Sequence, residues 1–230
     1  MMGKSDFTKI IYENSLSSAD DIKDFILEGK AEVSFENKRL KLMSVLDASM
    51  GQKANYVLWC NEDFPADVMI EWDFYPLNEL GLCMMFFAAK GLKGEDIFDK
   101  ALERRNGLYH QYTNGQINAF HISYFRTNFR TSSQEPALRT CNLRKSKGFY
   151  MAAQGGDPIP ELPYCQPPYS MRIIKEDNIV KFEINDVLIF TYIDDGITYG
   201  KILNGGKIGF RQMAPMVAEY SNLRVYTKQK

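Results

Sequence analysis

The chain has 230 residues, with 28 Lys and Arg against 29 Asp and Glu and a formal net charge of −1. That balance speaks against a nucleic-acid protein, which needs a basic surplus to displace the counterions of a phosphate backbone. Hydrophobic residues at 45% and charged residues at 25% exclude a disordered chain, and the aromatic content of 13%, much of it in alternating runs, favours sheet over helix.

The start, Met1-Met2-Gly3-Lys4, leads into no apolar core of the kind a secretory signal carries. The longest apolar stretch, Leu82 to Ala89, is far short of the roughly 20 residues of a spanning helix. The expectation is a cytoplasmic protein with no membrane segment. Cys60, Cys83, Cys141 and Cys165 fit no zinc or redox spacing and read as reduced thiols, Cys83 and Cys141 as small hydrophobes inside strands.

Ser18-Ala19-Asp20-Asp21 resembles a helix start, with Ile22, Phe25 and Ile26 on one face and Gly29 as the stop. The period then changes to two. Val33 and Phe35 alternate before the turn Glu36-Asn37-Lys38, and Leu40 and Leu42 after it, which predicts a hairpin. Tyr56 to Cys60 and Val68 to Tyr75 read as the next strands. In the second of these Val68, Ile70, Trp72 and Phe74 share a face, and Met69, Glu71, Asp73 and Tyr75 share the other. Leu82 to Ala89 is apolar on both faces and predicts a central strand covered on both sides.

Lys90 to Gly115 is rich in Gly and charge, with one helical turn expected from Asp99 to Arg105 and Gly107 as its stop. A connection this long inside a compact fold is usually functional. Ile117 to Arg126, Thr140 to Ser146 and Phe149 to Ala153 are further strands, separated by a polar loop from Thr127 to Pro136. A proline-rich loop ends at Pro168. Met171 to Lys175, Ile179 to Ile184, Val187 to Tyr192, Lys207 to Met213 and Val217 to Tyr226 complete an antiparallel pattern. With no repeat or linker, the whole of 1–230 reads as one all-β domain. About a dozen strands are too many for one open sheet, so a two-sheet antiparallel sandwich is expected. Trp72, Phe74, Phe86, Phe87, Ile208 and Phe210 should be substantially buried in it.

Several long strings carry a resemblance: Gly81-Leu82-Cys83-Met84 with Phe86-Phe87-Ala88-Ala89, Gly94-Glu95-Asp96, and His121-Ile122-Ser123-Tyr124-Phe125-Arg126. Arg139-Thr140-Cys141-Asn142-Leu143-Arg144-Lys145-Ser146 and Gly206-Lys207-Ile208-Gly209-Phe210-Arg211-Gln212-Met213-Ala214-Pro215-Met216 follow. Through them the chain resembles, from about Asp21 to Tyr226, the YesU-like family of bacterial proteins. The resemblance implies a concanavalin A-like, galectin-like jelly roll with one concave sheet that holds saccharide. Because the founding member sits among genes for degrading rhamnogalacturonan, it also implies a link to pectin and related acidic saccharides. It implies no reaction, and the same jelly roll hosts lectins, hydrolases and lyases.

The candidate residues follow from strand alternation. Glu71 and Asp73, about 6 to 7 Å apart on one face of a strand, are a possible glycosidase pair, with Tyr75 as an aromatic platform beside them. In the strand Asn118 to Arg126, alternation groups Ala119, His121, Ser123 and Phe125 on one face and Phe120, Ile122, Tyr124 and Arg126 on the other. His121 is a saccharide ligand or proton-transfer group on one reading and a satisfied half-buried histidine on the other. Arg126, Arg130, Arg139, Arg144, Lys145 and Lys147 form a basic cluster, and Arg suits the carboxylate of a uronate. Arg144 shares a face with Asn142. Arg211 and Gln212 interrupt an apolar strand, and Tyr109 offers a second aromatic platform. Asp194-Asp195-Gly196 reads as a hairpin turn rather than a calcium loop.

The expected function is binding of acidic, uronate-containing oligosaccharides. The alternatives are a polysaccharide lyase or glycoside hydrolase on the same ligands, with His121, Tyr124, Glu71 and Asp73 as candidate catalytic groups, and a non-catalytic interaction module. No cofactor and no metal is called for, and the oligosaccharide is the expected partner. His121 and Arg144 are expected to line one open groove with Tyr124 or Glu71 within reach.

Overall fold

A computed structural model describes residues 6–127 and 139–229. The expected polar loop after Thr127, with Arg130, lies outside the described residues. Fifteen strands in the described residues form two antiparallel sheets. The first sheet runs β13 (Val187–Ile193), β12 (Ile179–Ile184), β11 (Tyr169–Glu176), β6 (Val68–Pro76), β15 (Val217–Lys228), β4 (Leu40–Ser44) and β3 (Ala31–Ser34). β1 (Phe7–Asn14) pairs with the second half of β15, beyond the stretch that β4 covers. The second sheet runs β10 (Tyr150–Gly156), β9 (Thr140–Ser146), β8 (Ile117–Thr127), β7 (Gly81–Gly91), β14 (Gly206–Met213), β5 (Tyr56–Phe64) and β2 (Ile26–Glu28).

Alternation explains the space between the sheets. Val68, Ile70, Trp72 and Phe74 of β6 face Cys83, Met85 and Phe87 of β7 and Ile208 and Phe210 of β14 in one core. Trp72 meets Tyr124 at 5.9 Å and Phe210 at 6.4 Å between ring centroids, and Phe74 meets Tyr124 at 5.1 Å. Each of the six residues expected to be buried is no more than 1% exposed, five of them in this core and Phe86 on the outer face of the second sheet.

The second sheet is apolar on its outer face too, which is why β7 reads as apolar throughout. Val57, Trp59, Phe86, Ala89, Ile117 and Ala119 form a second cluster, closed by Ile97 and Tyr112 from the long loop of residues 92–116. That loop carries the single short α-helix of the described residues, α1 (His110–Thr113). Glu28 pins it down. Its carboxylate accepts from Trp59 Nε1 at 2.9 Å and Tyr112 Oη at 2.8 Å, and it pairs with Arg105 at 2.7 Å.

Both expected helices fail for the same physical reason, the competition of short polar side chains with the helical ladder. The Asp21 carboxylate accepts from Ser15 Oγ, Ser17 N and Ser18 N, leaving only a 3₁₀ turn at Asp20–Ile22, while Ile26 enters β2. Asp99 Oδ1 accepts from Ala101 N at 2.8 Å, and Arg105 is drawn away to Glu28.

Candidate functional site

The outer face of the second sheet gathers most of the polar residues singled out in the sequence. β8 and β9 pair antiparallel, with His121 opposite Arg144 and Ser123 opposite Asn142. Directly opposed residues project to the same face, so these four side chains form one patch. On β14, Arg211 lies across from Met84 of β7, which in turn lies across from Ser123.

Tyr109 of the long loop covers this patch. Its hydroxyl lies 2.7 Å from His121 Nε2. The two form one hydrogen bond, in which Tyr109 Oη donates when the His121 proton is on Nδ1 and accepts when it is on Nε2. Burial raises the Tyr109 phenol to about 12, against the pull of Arg144, Arg211 and Arg126. The phenol therefore stays protonated at physiological pH. His121 itself is 1% exposed, with the Phe86 ring 4.9 Å from its own. Burial, helped by Arg211 and Arg144, lowers its pKa to about 3, so the imidazole is neutral at physiological pH.

Arg144 is half-buried. Its guanidinium lies 3.7 Å over the Phe149 ring, and Nη1 donates to the Phe149 carbonyl at 3.1 Å. Phe149 stands edge-on to Tyr109 at 5.6 Å and is 52% exposed. Asn142 is buried beside it, its Oδ1 accepting from Gln154 Nε2 of β10 at 2.7 Å. Arg211 is wholly buried. Nη1 donates to the Gly107 carbonyl at 2.9 Å, and the guanidinium carbon lies 5.1 Å from the Tyr109 ring and 5.2 Å from the Tyr112 ring.

Arg126 joins the same face, against the expectation from alternation. Phe125 takes a positive φ of 46°, and both Tyr124 and Phe125 enter the inter-sheet core. This bulge returns Arg126 to the His121 side, where its charge acts on Tyr109 and Arg144. None of the ion pairs among the described residues includes Arg126, Arg144 or Arg211.

Other candidates lie elsewhere. Tyr124 is inside the sandwich, packed on Trp72, Phe74 and Phe182, because residues 122 and 124 alternate inward. Gln212 also faces inward, sharing hydrogen bonds with the hydroxyls of Tyr56 and Tyr220. Neither reaches the patch. Glu71, Asp73 and Tyr75 sit on the outer face of the first sheet, a whole sandwich away from His121. Glu71 is bound to Arg172 at 2.6 Å, Asp73 accepts from Asn222 Nδ2 at 2.7 Å, and Tyr75 is covered by Arg39 at 3.9 Å. Lys145 points into the sandwich, where it forms a buried pair with Asp194 at 2.6 Å. Asp195 is spent on its own turn, accepting from Ile197 N and Thr198 N.

The expected open groove is therefore corrected in part. His121 and Arg144 share a face, but Tyr109 seals His121 beneath it, and neither residue lines the two described cavities, which lie farther along the long loop. Phe149, Met151 and Gln154 join the patch without having been singled out. The signal for Phe149 was an aromatic directly after Gly148, which holds a φ of +102° in the turn between β9 and β10.

A family model described as domain of unknown function (DUF1961) matches residues 9–225. The uncharacterized protein YesU of Bacillus subtilis (strain 168) is 48% identical over 216 residues, which span 94% of each chain. A crystal structure of a protein of unknown function with a galectin-like fold, also from Bacillus subtilis, superposes with a TM-score of 0.89 at 47% identity over 96% of each chain. The carbohydrate binding module CBM66 from Bacillus subtilis is similar in fold alone, with a TM-score of 0.55 at 12% identity, covering 88% of this chain and 95% of the module. The strings noted along β7, β8, β9 and β14, the two-sheet sandwich and these matches agree, and the chain belongs to the DUF1961 family.

Proposed function

We propose that the protein binds acidic oligosaccharides on the outer face of its second sheet. The observation that carries this is the group of three guanidiniums, Arg126, Arg144 and Arg211, that converge on Tyr109 without an ion pair among the described residues. A cationic group kept free of its own acids favours an anionic ligand, and guanidinium matches a planar carboxylate with two parallel hydrogen bonds. The exposed Phe149 ring and the half-buried Tyr109 ring beside it suit the apolar face of a sugar. Uronate-containing saccharides related to pectin and rhamnogalacturonan supply both features in one unit.

Binding is favoured over turnover. The carboxylates weighed as acid and base, Glu71 and Asp73, are engaged on the other sheet. His121 is buried and neutral, with Nε2 engaged by Tyr109, so it presents no proton-transfer group at the surface. Affinity electrophoresis through gels containing polygalacturonate, rhamnogalacturonan or a neutral glucan tests the reading. Retardation by the acidic polymers alone, without new ultraviolet absorbance from cleavage, is the expected result. Equal retardation in all three gels, or none in any, contradicts it.

A further inference from the structure

Arg211 has more to offer than its one hydrogen bond. It is 0% exposed, yet among the described residues only Nη1 is engaged, and Nε and Nη2 are buried without a hydrogen-bond partner there. The carboxylate that acts on it, Glu28, spends its oxygens on Trp59, Tyr112 and Arg105. A buried guanidinium without a counter-charge is strongly disfavoured, and so are buried N–H groups without acceptors. His121 shows the same pattern from the neighbouring side of Tyr109. Its Nε2 is taken by the Tyr109 hydroxyl, and its Nδ1 is buried without a partner among the described residues. Arg211 Nε and Nη2 are donors, and His121 Nδ1 is a third in the tautomer in which Tyr109 donates to Nε2. What they lack is an acceptor, and the charge of Arg211 asks for a negative one.

No described residue in the surrounding packing supplies it. Phe86 stacks on His121, and Tyr112 and Tyr109 lie on Arg211. These apolar rings lower the local dielectric and strengthen any charge interaction inside the compartment. Tyr109 is the only one of the three that is partly exposed, and it sits on the loop rather than on the sheet. It is therefore the side through which a ligand enters.

We infer that Arg211 Nε and Nη2, with His121 Nδ1, form an anion receptacle under Tyr109 that accepts one carboxylate or one monovalent anion of similar size. This inference rests on the reading above and sharpens it: the charge of an acidic sugar is read at Arg211, beneath the surface, while Arg144 and Phe149 hold the ring outside. The same chemistry fits a free halide or acetate, and the two sources are separable.

Crystals of the full chain soaked in sodium bromide give the test, because bromide scatters anomalously and marks its own position. An anomalous peak in contact with Arg211 Nε or Nη2 is expected. A second soak adds galacturonate to the bromide. Loss of the peak assigns the receptacle to the sugar's carboxylate, and persistence of the peak beside bound sugar assigns it to a free anion. A well-ordered water at Arg211 without anomalous signal, with bromide found elsewhere in the crystal, overturns the proposal. In solution, bromide should raise the melting temperature of the wild type and leave Arg211→Met, which keeps the length of the side chain, unmoved. An equal rise in both proteins also overturns it. Retardation by acidic polysaccharide, measured on the same wild-type sample, reports separately on whether the outer site binds at all.

Discussion

Arg144 holds a planar cation against an aromatic ring at the edge of the patch, and its neighbours Arg126 and Tyr109 act on its charge in opposite senses. Replacing it with Ala should remove one charge-assisted pair, roughly 1.5 to 3 kcal/mol or about 10- to 150-fold in affinity for an acidic ligand. The fold should not suffer, since the side chain is half-exposed and carries no ion pair among the described residues. A uronate titration that is unchanged in the variant contradicts this assignment. His121 makes a different prediction. Folded, it stays neutral down to about pH 3, whereas an unfolded imidazole takes up a proton near 6.5. The unfolded state binds the extra proton between those values, so stability is full above pH 6.5 and falls below it by about 1.4 kcal/mol per pH unit. Urea denaturation of wild type and His121→Gln at pH 7 and pH 5 should show the gap between them narrowing by roughly 2 kcal/mol. An unchanged gap contradicts a buried neutral imidazole. At this scale the sequence was legible wherever alternation held. It pointed to His121, Asn142 and Arg144 on one face, it named Arg211 without giving it a face, and it misplaced Arg126 because one residue, Phe125, departs from the extended backbone.

Among the elements, the long loop of residues 92–116 does most to shape the site, because it carries Tyr109 and supplies the Gly107 carbonyl to Arg211. Its composition marked it as functional, but its anchor was hidden. Glu28 is far away in sequence and lies on a three-residue edge strand too short to show a period. The Glu28→Ala variant should leave Arg105, which is only 5% exposed, without its counter-charge. A loss of about 3 to 5 kcal/mol is expected by analogy with other broken buried pairs. Chemical denaturation measures it, and a loss below about 1 kcal/mol would show that the loop is held by its apolar contacts instead. The failed helices belong to this scale as well. Apolar spacing suggested a helix after Ser18, and the hydrogen bonds of Asp21 to Ser15, Ser17 and Ser18 closed a different turn.

For the whole molecule, the two-sheet sandwich was legible because almost every strand alternates and the central one is apolar on both faces. Which sheet packs where was not, since pairings such as β15 with β6 join residues remote in sequence. The cysteines report on the integrity of that core. Cys60, Cys83 and Cys141 are buried, Cys165 is half-buried, and all four are free thiols. Burial pushes the Cys83 thiol up to about 12 and raises Cys60 and Cys141 as well. Thiolate is the reactive form, so alkylation of the folded protein should reach Cys165 at most. Denaturation without reductant should bring the count to four labels by mass, matching the four cysteines of the chain. Two or none would mean a disulfide and a different core.

The central claim is that a single face of the second sheet reads negative charge on a saccharide. Calorimetric titration with galacturonate oligosaccharides, repeated with the same oligosaccharides after reduction of their carboxyl groups to alcohols, isolates that charge with everything else held constant. Saturable binding to the acidic form, lost on reduction and weakened by Arg144→Ala, is the expected result. Equal affinity for both forms, or binding to the acidic form that ignores Arg144, would contradict the account.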